Sequence, residues 1–331
     1  MSRVGAVSVA LCLAFALVGC GGSSDSTGDQ QTTKLDVTLD FAIDGLHAPL
    51  FVAKDKGYYT DKDLSVAIHP SGGSQIAITQ VATGKAQFGV ADAATAVAAQ
   101  AGGADIMVVA VLLQNTPAST VTRKDANITD PKQLVGKTMG LNAGSSQTKL
   151  LPAFFAKNGI DGKKVRQVTI DKSAIIATML AGKIDASNQF AQTSAKILDQ
   201  VNIIPWYKYG IDSYGSTLIA NKKYLAENPE AARAFVQATM KGLKYTVSNA
   251  QGTADILASA SQGDVTFFKS ELEILRPFMT NANVEAAGYG TMEESRWKTT
   301  QDLNMQYLGQ TKELPMDQIY TSKYLSGGSG K

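Results

Sequence analysis

At 331 residues and a formal net charge of +2, the chain has no broad basic face, so nucleic acid is excluded as a partner. Its two cysteines, Cys12 and Cys20, lie at the amino end, and its two histidines are His47 and His69. The body of the chain therefore has no disulfide, thiol nucleophile, thiolate metal site or histidine-rich metal site, and no metal or cofactor is expected.

Residues 1–20, MSRVGAVSVALCLAFALVGC, have a basic start at Arg3 and an apolar run from Val4 to Val18. That run is too short for a good membrane span and reads as an export signal. Leu17-Val18-Gly19-Cys20 resembles the lipobox of bacterial lipoproteins, which makes Cys20 the expected lipid attachment site. Residues 21–34 follow as a polar, flexible tether, and 326–331 as a glycine-rich tail. About 300 residues lie between, more than one core usually organises, so two lobes are expected. The boundaries predicted are 35–120 with 221–325 for lobe 1 and 121–220 for lobe 2.

From Leu35 onward, strands alternate with helices. KLDVTLDFA reads as a strand and PLFVAKDKG as a helix with proline in its first turn and glycine at its end. LSVAIHP, AQFGVA and DIMVVAVLL are further strands, with SQIAITQVATG and AATAVAAQAGG as the helices between them. The order then repeats: strand TMGLN, helix SSQTKLLPAFFAKNG, strand VRQVTI, helix AIIATMLAG, strand IDASNQ. Such spacing implies right-handed crossovers and mostly parallel sheets. VATGKAQFGVAD and MLAGKIDASNQF rhyme, each a helix ended by Gly-Lys and then a strand. STVTRK and STLIANKKYL are the predicted crossings between lobes. The remainder, from Asn228-Pro229-Glu230, reads as mainly helical.

Taken together, LDFAIDGLHAPLFVAKDKGYY, QVATGKAQFGVADAA, LAGKIDAS and ANKKYLAENPEAARAFVQATMKG resemble the substrate-binding proteins of ABC importers. They resemble in particular the family shared with thiamine-pyrimidine synthase and the sulfonate, nitrate and taurine binders. The resemblance implies an α/β, two-lobed periplasmic-binding-protein fold of type II, each lobe a mixed sheet flanked by helices, with the ligand cleft between lobes. The thiamine-pyrimidine branch carries Trp-x-Pro-Asn-x-x-His-x-Gly after its first strand. Here Phe41, Ile43, Asp44, His47 and Pro49 stand at those places. Aromatic and histidine keep their register, while the amide has become an acid.

Ligands in open α/β sheets bind beyond the carboxyl ends of strands. Phe41, Asp44 and His47 follow the first strand; Phe41 is placed to stack on a flat ligand. His47 could equally orient its turn, and Asp44 could equally cap the following helix. Ser74 in PSGGSQ and Ser145 and Ser146 in NAGSSQT open helices after strands, where free N–H groups seat anions or carbonyl oxygens. Asp92, Gln189 and Phe190 end strands. Trp206, Tyr209 and Tyr214 cluster near the second crossing as candidate cleft aromatics, with Asp212 as a lesser partner.

The function expected is an extracytoplasmic solute-binding lipoprotein, not an enzyme. It would be a monomer anchored to the cell membrane through Cys20 that hands a small ligand to the permease and ATPase subunits of an ABC importer. The aromatics and Asp44 point to a planar nitrogen-containing ligand, such as a pyrimidine or related vitamin precursor. A sulfonate, nitrate or aromatic acid is the alternative within the resemblance, and a pyrimidine synthase-like enzyme or a surface sensor are the others. A strongly bound dianion normally recruits arginine. None of Arg123, Arg166, Arg233, Arg276 and Arg296 lies in a proposed cleft turn.

Overall fold

The structure, a computed structural model, describes residues 32–142 and 145–325. Cys20, the predicted signal and the predicted tail lie outside the described residues. Two five-stranded mixed sheets organise the rest. The first contains β1 (Thr33–Thr38), β2 (Leu64–His69), β3 (Phe88–Asp92), β4 (Ile106–Val111) and one strand from much later in the chain. The second contains β5 (Ala118–Arg123), β6 (Thr138–Leu141), β7 (Arg166–Thr169), β8 (Ala186–Phe190) and β9 (Val201–Pro205). The late strand of the first sheet is β10 (Ser216–Asn221).

The two sheets have the same plan. The first runs β2-β1-β3-β10-β4 and the second β7-β6-β8-β5-β9. In each, three strands are parallel, and the strand that has crossed from the other half runs antiparallel beside the third. The two rhyming segments fall at equivalent places. Each leads from a helix, α2 (Ser74–Ala82) in one case and the fifth helix in the other, into the third strand of its sheet. Gly84 and Gly182 close those helices with φ of +75° and +73°, the left-handed conformation that glycine adopts without a side-chain penalty.

The expected lobe boundaries at 120/121 and 220/221 lie inside β5 and β10. The chain changes sheet just before each of these strands, in the connectors 112–117 and 206–215. These run side by side, with Gly215 N–H donating to the Leu113 carbonyl at 3.0 Å and Thr116 N–H to that of Ser213 at 2.9 Å. β1 starts at Thr33, inside the stretch predicted as tether. VNIIP, which has no place among the predicted strands, forms the edge strand β9.

Helices cover both sheets: α1 (Ala48–Asp55), α2, α3 (Ala93–Ala101), α4 (Ser146–Lys157) and α5 (Lys172–Leu180). After β10 come α6 (Lys222–Glu227), α7 (Pro229–Ser248), α8 (Ala250–Ser261), α9 (Val265–Met279), α10 (Ala282–Ala287) and α11 (Glu294–Leu303). The large first core joins β1, β3, β4 and β10 to α1, α7, α8 and α9 through side chains such as Val37, Leu50, Phe88, Phe235 and Leu275. The second sheet has its own core around Met139, Phe154, Trp206 and Ile211. Arg296 of α11 fastens both connectors. Its guanidinium donates to Asp212 at 2.7 Å in one and to Asn115 at 3.1 Å in the other. Among the described residues no helix is long and apolar enough to cross a membrane.

Candidate functional site

The carboxyl ends of the three parallel strands of each sheet meet at a cleft between the lobes. Its main chamber, of about 540 Å³, is walled from the first lobe by Asp40, Phe41, Asp44, Ser74, Phe267 and Glu271. The second lobe supplies Lys172, Phe190, Gln192, Thr193 and Lys196. A volume of this order suits a small organic ligand. Two adjoining chambers share Phe190 and Ser146. One reaches Asp92, Thr95 and Ser216, and the other Ser145, Asn188 and Gln189.

The opening turn after β1 forms the floor on the first-lobe side. Asp44 caps the short 3₁₀ turn Gly45–His47, its Oδ1 accepting from Leu46 N–H at 2.9 Å. His47 is fully buried and lies between two carboxylates, with Nε2 2.8 Å from Asp40 Oδ1 and Nδ1 3.0 Å from Asp44 Oδ1. Burial alone would lower its pKa. The charges and hydrogen bonds of Asp44 and Asp40 outweigh it and raise the imidazole from 6.5 to about 10. With both ring nitrogens protonated, Nδ1 donates to Asp44 Oδ1 and does not accept from the Asp44 N–H at 3.3 Å. The histidine is thus a buried cation that holds the turn together. It does not line the cleft.

The acids form a chain of contacts around it. Asp40 Oδ2 accepts from the Ser74 hydroxyl at 3.2 Å, and Ser74 Oγ accepts from Asp92 N–H at 3.1 Å. Asp92 caps α3, its Oδ1 accepting from Thr95 N–H at 3.1 Å, and burial pushes its carboxyl up to about 6. Glu271 enters from α9 and accepts the Gly45 N–H on Oε2 at 3.0 Å. Burial, with the charge of Asp44 beside it, pushes Glu271 up to about 7. On the facing lobe, Lys172 Nζ sits 5.6 Å from the Phe41 ring centre and Lys196 Nζ 5.2 Å from that of Phe267. Both are cation–π contacts across the cleft.

Phe41, Asp44, Ser74, Asp92, Ser145, Ser146, Gln189 and Phe190 therefore come together along one cleft. Phe41 is 54 % exposed, which marks it as a surface for something other than the core. Ser145 is also the cap of α4, its Oγ accepting from Thr148 N–H at 3.1 Å. His47, Trp206, Tyr209 and Tyr214 depart from the expectation. Trp206 is fully buried, stacked on Phe154 with 4.7 Å between ring centres, and donates from Nε1 to Thr120 Oγ1 at 2.9 Å. Tyr209 packs edge-on against the same Phe154. Tyr214 is buried against Trp297, under the Arg296 guanidinium, and its hydroxyl accepts from Glu293 N–H. Trp206 and Tyr214 are thus core, and the half-buried Tyr209 packs against the second lobe's core; none of the three lines the cleft.

Asp40, Glu271, Lys172, Lys196, Gln192 and Phe267 are cleft residues that the sequence reading missed. For Glu271 a signal exists: it shares the buried face of α9 with Phe268, Leu272 and Leu275, and an acid on an apolar stripe calls for a partner. Lys172 and Lys196 have no comparable signal, being ordinary helix-start and surface lysines in sequence. No cluster of three or more His, Cys, Asp or Glu among the described residues is arranged to hold a metal ion.

The NMT1/THI5-like family model matches residues 45–253, more than half of the chain. The chain belongs to that family. A riboflavin-binding protein, RibY, of Chloroflexus aurantiacus is 23 % identical over 298 residues, covering 85 % of this chain and 83 % of the relative. A 4-amino-5-hydroxymethyl-2-methylpyrimidine phosphate synthase of Legionella pneumophila is 23 % identical over 239 residues, 69 % of this chain and 74 % of its own. A formylaminopyrimidine-binding protein of Halalkalibacterium halodurans is 21 % identical over 302 residues, 88 % and 90 % of the two chains. Among solved structures, the periplasmic aliphatic sulphonate binding protein SsuA of Escherichia coli superposes with a TM-score of 0.68. It is 19 % identical and is covered to 95 %, against 90 % of this chain. The fold is thus the two-lobed periplasmic-binding-protein fold, α/β with a mixed sheet in each lobe.

Proposed function

We propose that this chain is the extracytoplasmic solute-binding component of an ABC importer, and that its solute is a small planar nitrogen-containing molecule of the pyrimidine or flavin-precursor kind. The observation that carries the reading is the cleft itself. It is a chamber of about 540 Å³ with phenylalanines on both lobes, Phe41 and Phe190, above a floor of hydrogen-bonded carboxylates. A flat ring stacks on Phe41, its polar edge meets the first-lobe acids, and the second lobe closes over it about the paired connectors. Relatives that bind riboflavin or formylaminopyrimidine support this choice of ligand class.

An oxyanion is the weaker reading. The starts of α2 and α4 both face the cleft, as sulfonate or nitrate capture would use. Lys172 and Lys196 line the main chamber, but Asp40, Asp44, Asp92 and Glu271 line the same space and among the described residues no arginine does. An anion thus meets more acids than cations and lacks the bidentate guanidinium that a tightly held oxyanion recruits. The enzyme reading required His47 to meet substrate, and a fully buried imidazole tied to two carboxylates is poorly placed for that. Anchoring through Cys20 belongs to the proposal too. Cys20→Ala should move the protein from the membrane fraction to the soluble one, and continued anchoring would refute it.

The ligand is tested by mass spectrometry of small molecules released from the purified protein. Calorimetric titration with flavins, pyrimidines, methanesulfonate and nitrate then follows, with small-angle scattering on the saturated sample. A ring compound should bind and reduce the radius of gyration. Binding of methanesulfonate or nitrate alone, or an unchanged scattering profile at saturation, would overturn the reading.

A further inference from the structure

On the connector side of the molecule, one helix grips both lobes. α11 packs on α3 of the first lobe, with Trp297 in the core that contains Val97 and Val108. It ends in a π turn, Asn304–Leu308, a rare form that tends to occur at functional sites. Asn304 is fully buried and donates to the Ala94 carbonyl of α3 at 2.7 Å. In the same turn, Tyr307 and Leu308 pack on the core of the second lobe beside α4.

Between those two grips Arg296 holds the connectors. Its guanidinium is buried, lies 4.4 Å from the centre of the Tyr214 ring, and forks. Nη2 donates to Asn115 Oδ1 at 3.1 Å, and Nε and Nη2 reach Asp212 Oδ1 at 3.0 and 2.7 Å. The two ends of the fork differ in what release costs. Asn115 is 7 % exposed, so breaking that bond leaves a buried cation and a buried amide short of partners. The Asp212 carboxylate is 61 % exposed, and water replaces the guanidinium when it lets go. The guanidinium is thus a fixed post on the first connector, and Asp212 is the release point on the second. In this arrangement the lobes also touch across the cleft, through Lys172 on Phe41 and Lys196 on Phe267.

We infer that Arg296 is a positioning residue that sets the balance between closed and open lobes through its releasable bond to Asp212. The inference rests on the solute-binding reading, in which ligand is held chiefly by the closed arrangement. Apparent affinity then scales with the fraction of protein that is closed. Neither Arg296 nor Asp212 lines a chamber of the cleft. Loosening the pair therefore weakens every ligand by one factor and leaves the ratio between ligands unchanged. A residue that touches ligand changes that ratio instead.

The test uses the full chain as Asp212→Ala, an exposed change that spares the core, and as Arg296→Met and Arg296→Lys. Small-angle scattering without ligand should give all three a larger radius of gyration than wild type. Calorimetric titration with riboflavin and with cytosine should show affinity lower by about threefold in Asp212→Ala and about tenfold in Arg296→Met. The factor should be the same for each probe that binds, and saturation should restore the wild-type scattering profile. Arg296→Lys keeps the charge but cannot fork to both connectors, so it should behave as Arg296→Met does. Melting of each unliganded variant shows that it is folded. A lower melting temperature with scattering and affinity unchanged would make the pair structural only and overturn the inference. Full recovery in Arg296→Lys, or a factor that differs between the probes, would overturn it as well. Where neither probe binds, the planar-ring reading fails and unliganded scattering of Asp212→Ala decides: a larger radius supports the inference and the wild-type radius overturns it. A wild type that binds a probe without changing its scattering would sink the closure reading, and this inference with it.

Discussion

The two lobes share a strand plan but finish it with different chemistry. Beyond the parallel strands of the first sheet stand Asp40, Asp44 and Asp92, with Glu271 arriving from α9 and a buried imidazolium holding the turn. Beyond the equivalent strands of the second sheet stand Ser145, Ser146, Asn188, Gln189 and Gln192, with Lys172 and Lys196 reaching across. One half of the cleft is charged and fixed in place by its own network. The other is hydroxyl- and amide-lined, and its only acid–base charges at the chamber among the described residues are the two lysines on long side chains. Identical topology therefore sets only where the strand ends meet, and local side-chain chemistry makes one wall of the cleft acidic and the other amide-, hydroxyl- and lysine-lined.

Removing the charge that holds the floor should have the largest effect. His47→Phe keeps a flat ring of similar size but leaves Asp40 and Asp44 facing each other without a cation, which costs on the order of 3–5 kcal/mol of stability. Denaturant unfolding near pH 6 measures it. The sign with pH is fixed. A histidine raised from 6.5 to about 10 contributes fully below pH 6.5 and loses that contribution as the pH approaches 10. The gap between wild type and His47→Phe should shrink over that window. Asp92 and Glu271, raised to about 6 and about 7, hold protons longer when folded than when unfolded. They therefore lower stability as the pH rises from about 4 to about 7. If the gap is flat from pH 6 to pH 10, the histidine is not a cation in the folded state.

Much of this contrast is readable in sequence, and the unreadable part has a physical cause. Alternation, helix caps and the Gly-Lys rhyme are local, so the strands, helices and lobe repeat follow from neighbouring residues. Asp92 and Phe190 are legible because each ends a strand, and Phe41 because it lies in the turn just beyond one, with the strand direction set by the crossover rule. Trp206 misleads because an aromatic beside a crossing looks the same whether it faces ligand or core. Glu271 is hidden by its 226-residue separation from Gly45, a contact that only the tertiary fold creates. Trp206→Ala and Phe41→Ala test the distinction. The first should cost about 3–5 kcal/mol of stability, by emptying the space against Phe154 and unpairing Thr120, and leave ligand affinity intact in the folded protein. The second should barely move the unliganded melting temperature, because Phe41 is half exposed, and should cost about 1–3 kcal/mol of affinity for a stacked ring. The reverse pattern would place Trp206 in the site and Phe41 in the scaffold.

The smallest expected effect separates two neighbouring serines on the second-lobe wall of the cleft. Ser145 precedes α4 with φ −69° and ψ 149° and accepts the Thr148 N–H, so it is the cap. Ser146 is the first helical residue. Its hydroxyl lies 3.4 Å from Gln147 Oε1, a long contact, and it borders both chambers next to Phe190. Ser145→Ala should therefore cost about 1 kcal/mol of stability, the worth of an N-cap, with little change in affinity. Ser146→Ala should leave melting unchanged, because alanine serves a first helical turn well. If the hydroxyl of Ser146 meets the ligand, its loss should weaken binding by about 0.5–1.5 kcal/mol, the net value of a neutral hydrogen bond. Both variants are read by unliganded melting and by titration with whichever ring compound binds the wild type. Equal stability losses would make both serines parts of the cap. Affinity unchanged in both would leave ligand recognition on that wall to Gln189, Gln192 and the two lysines, and would make the contrast between the lobes sharper still.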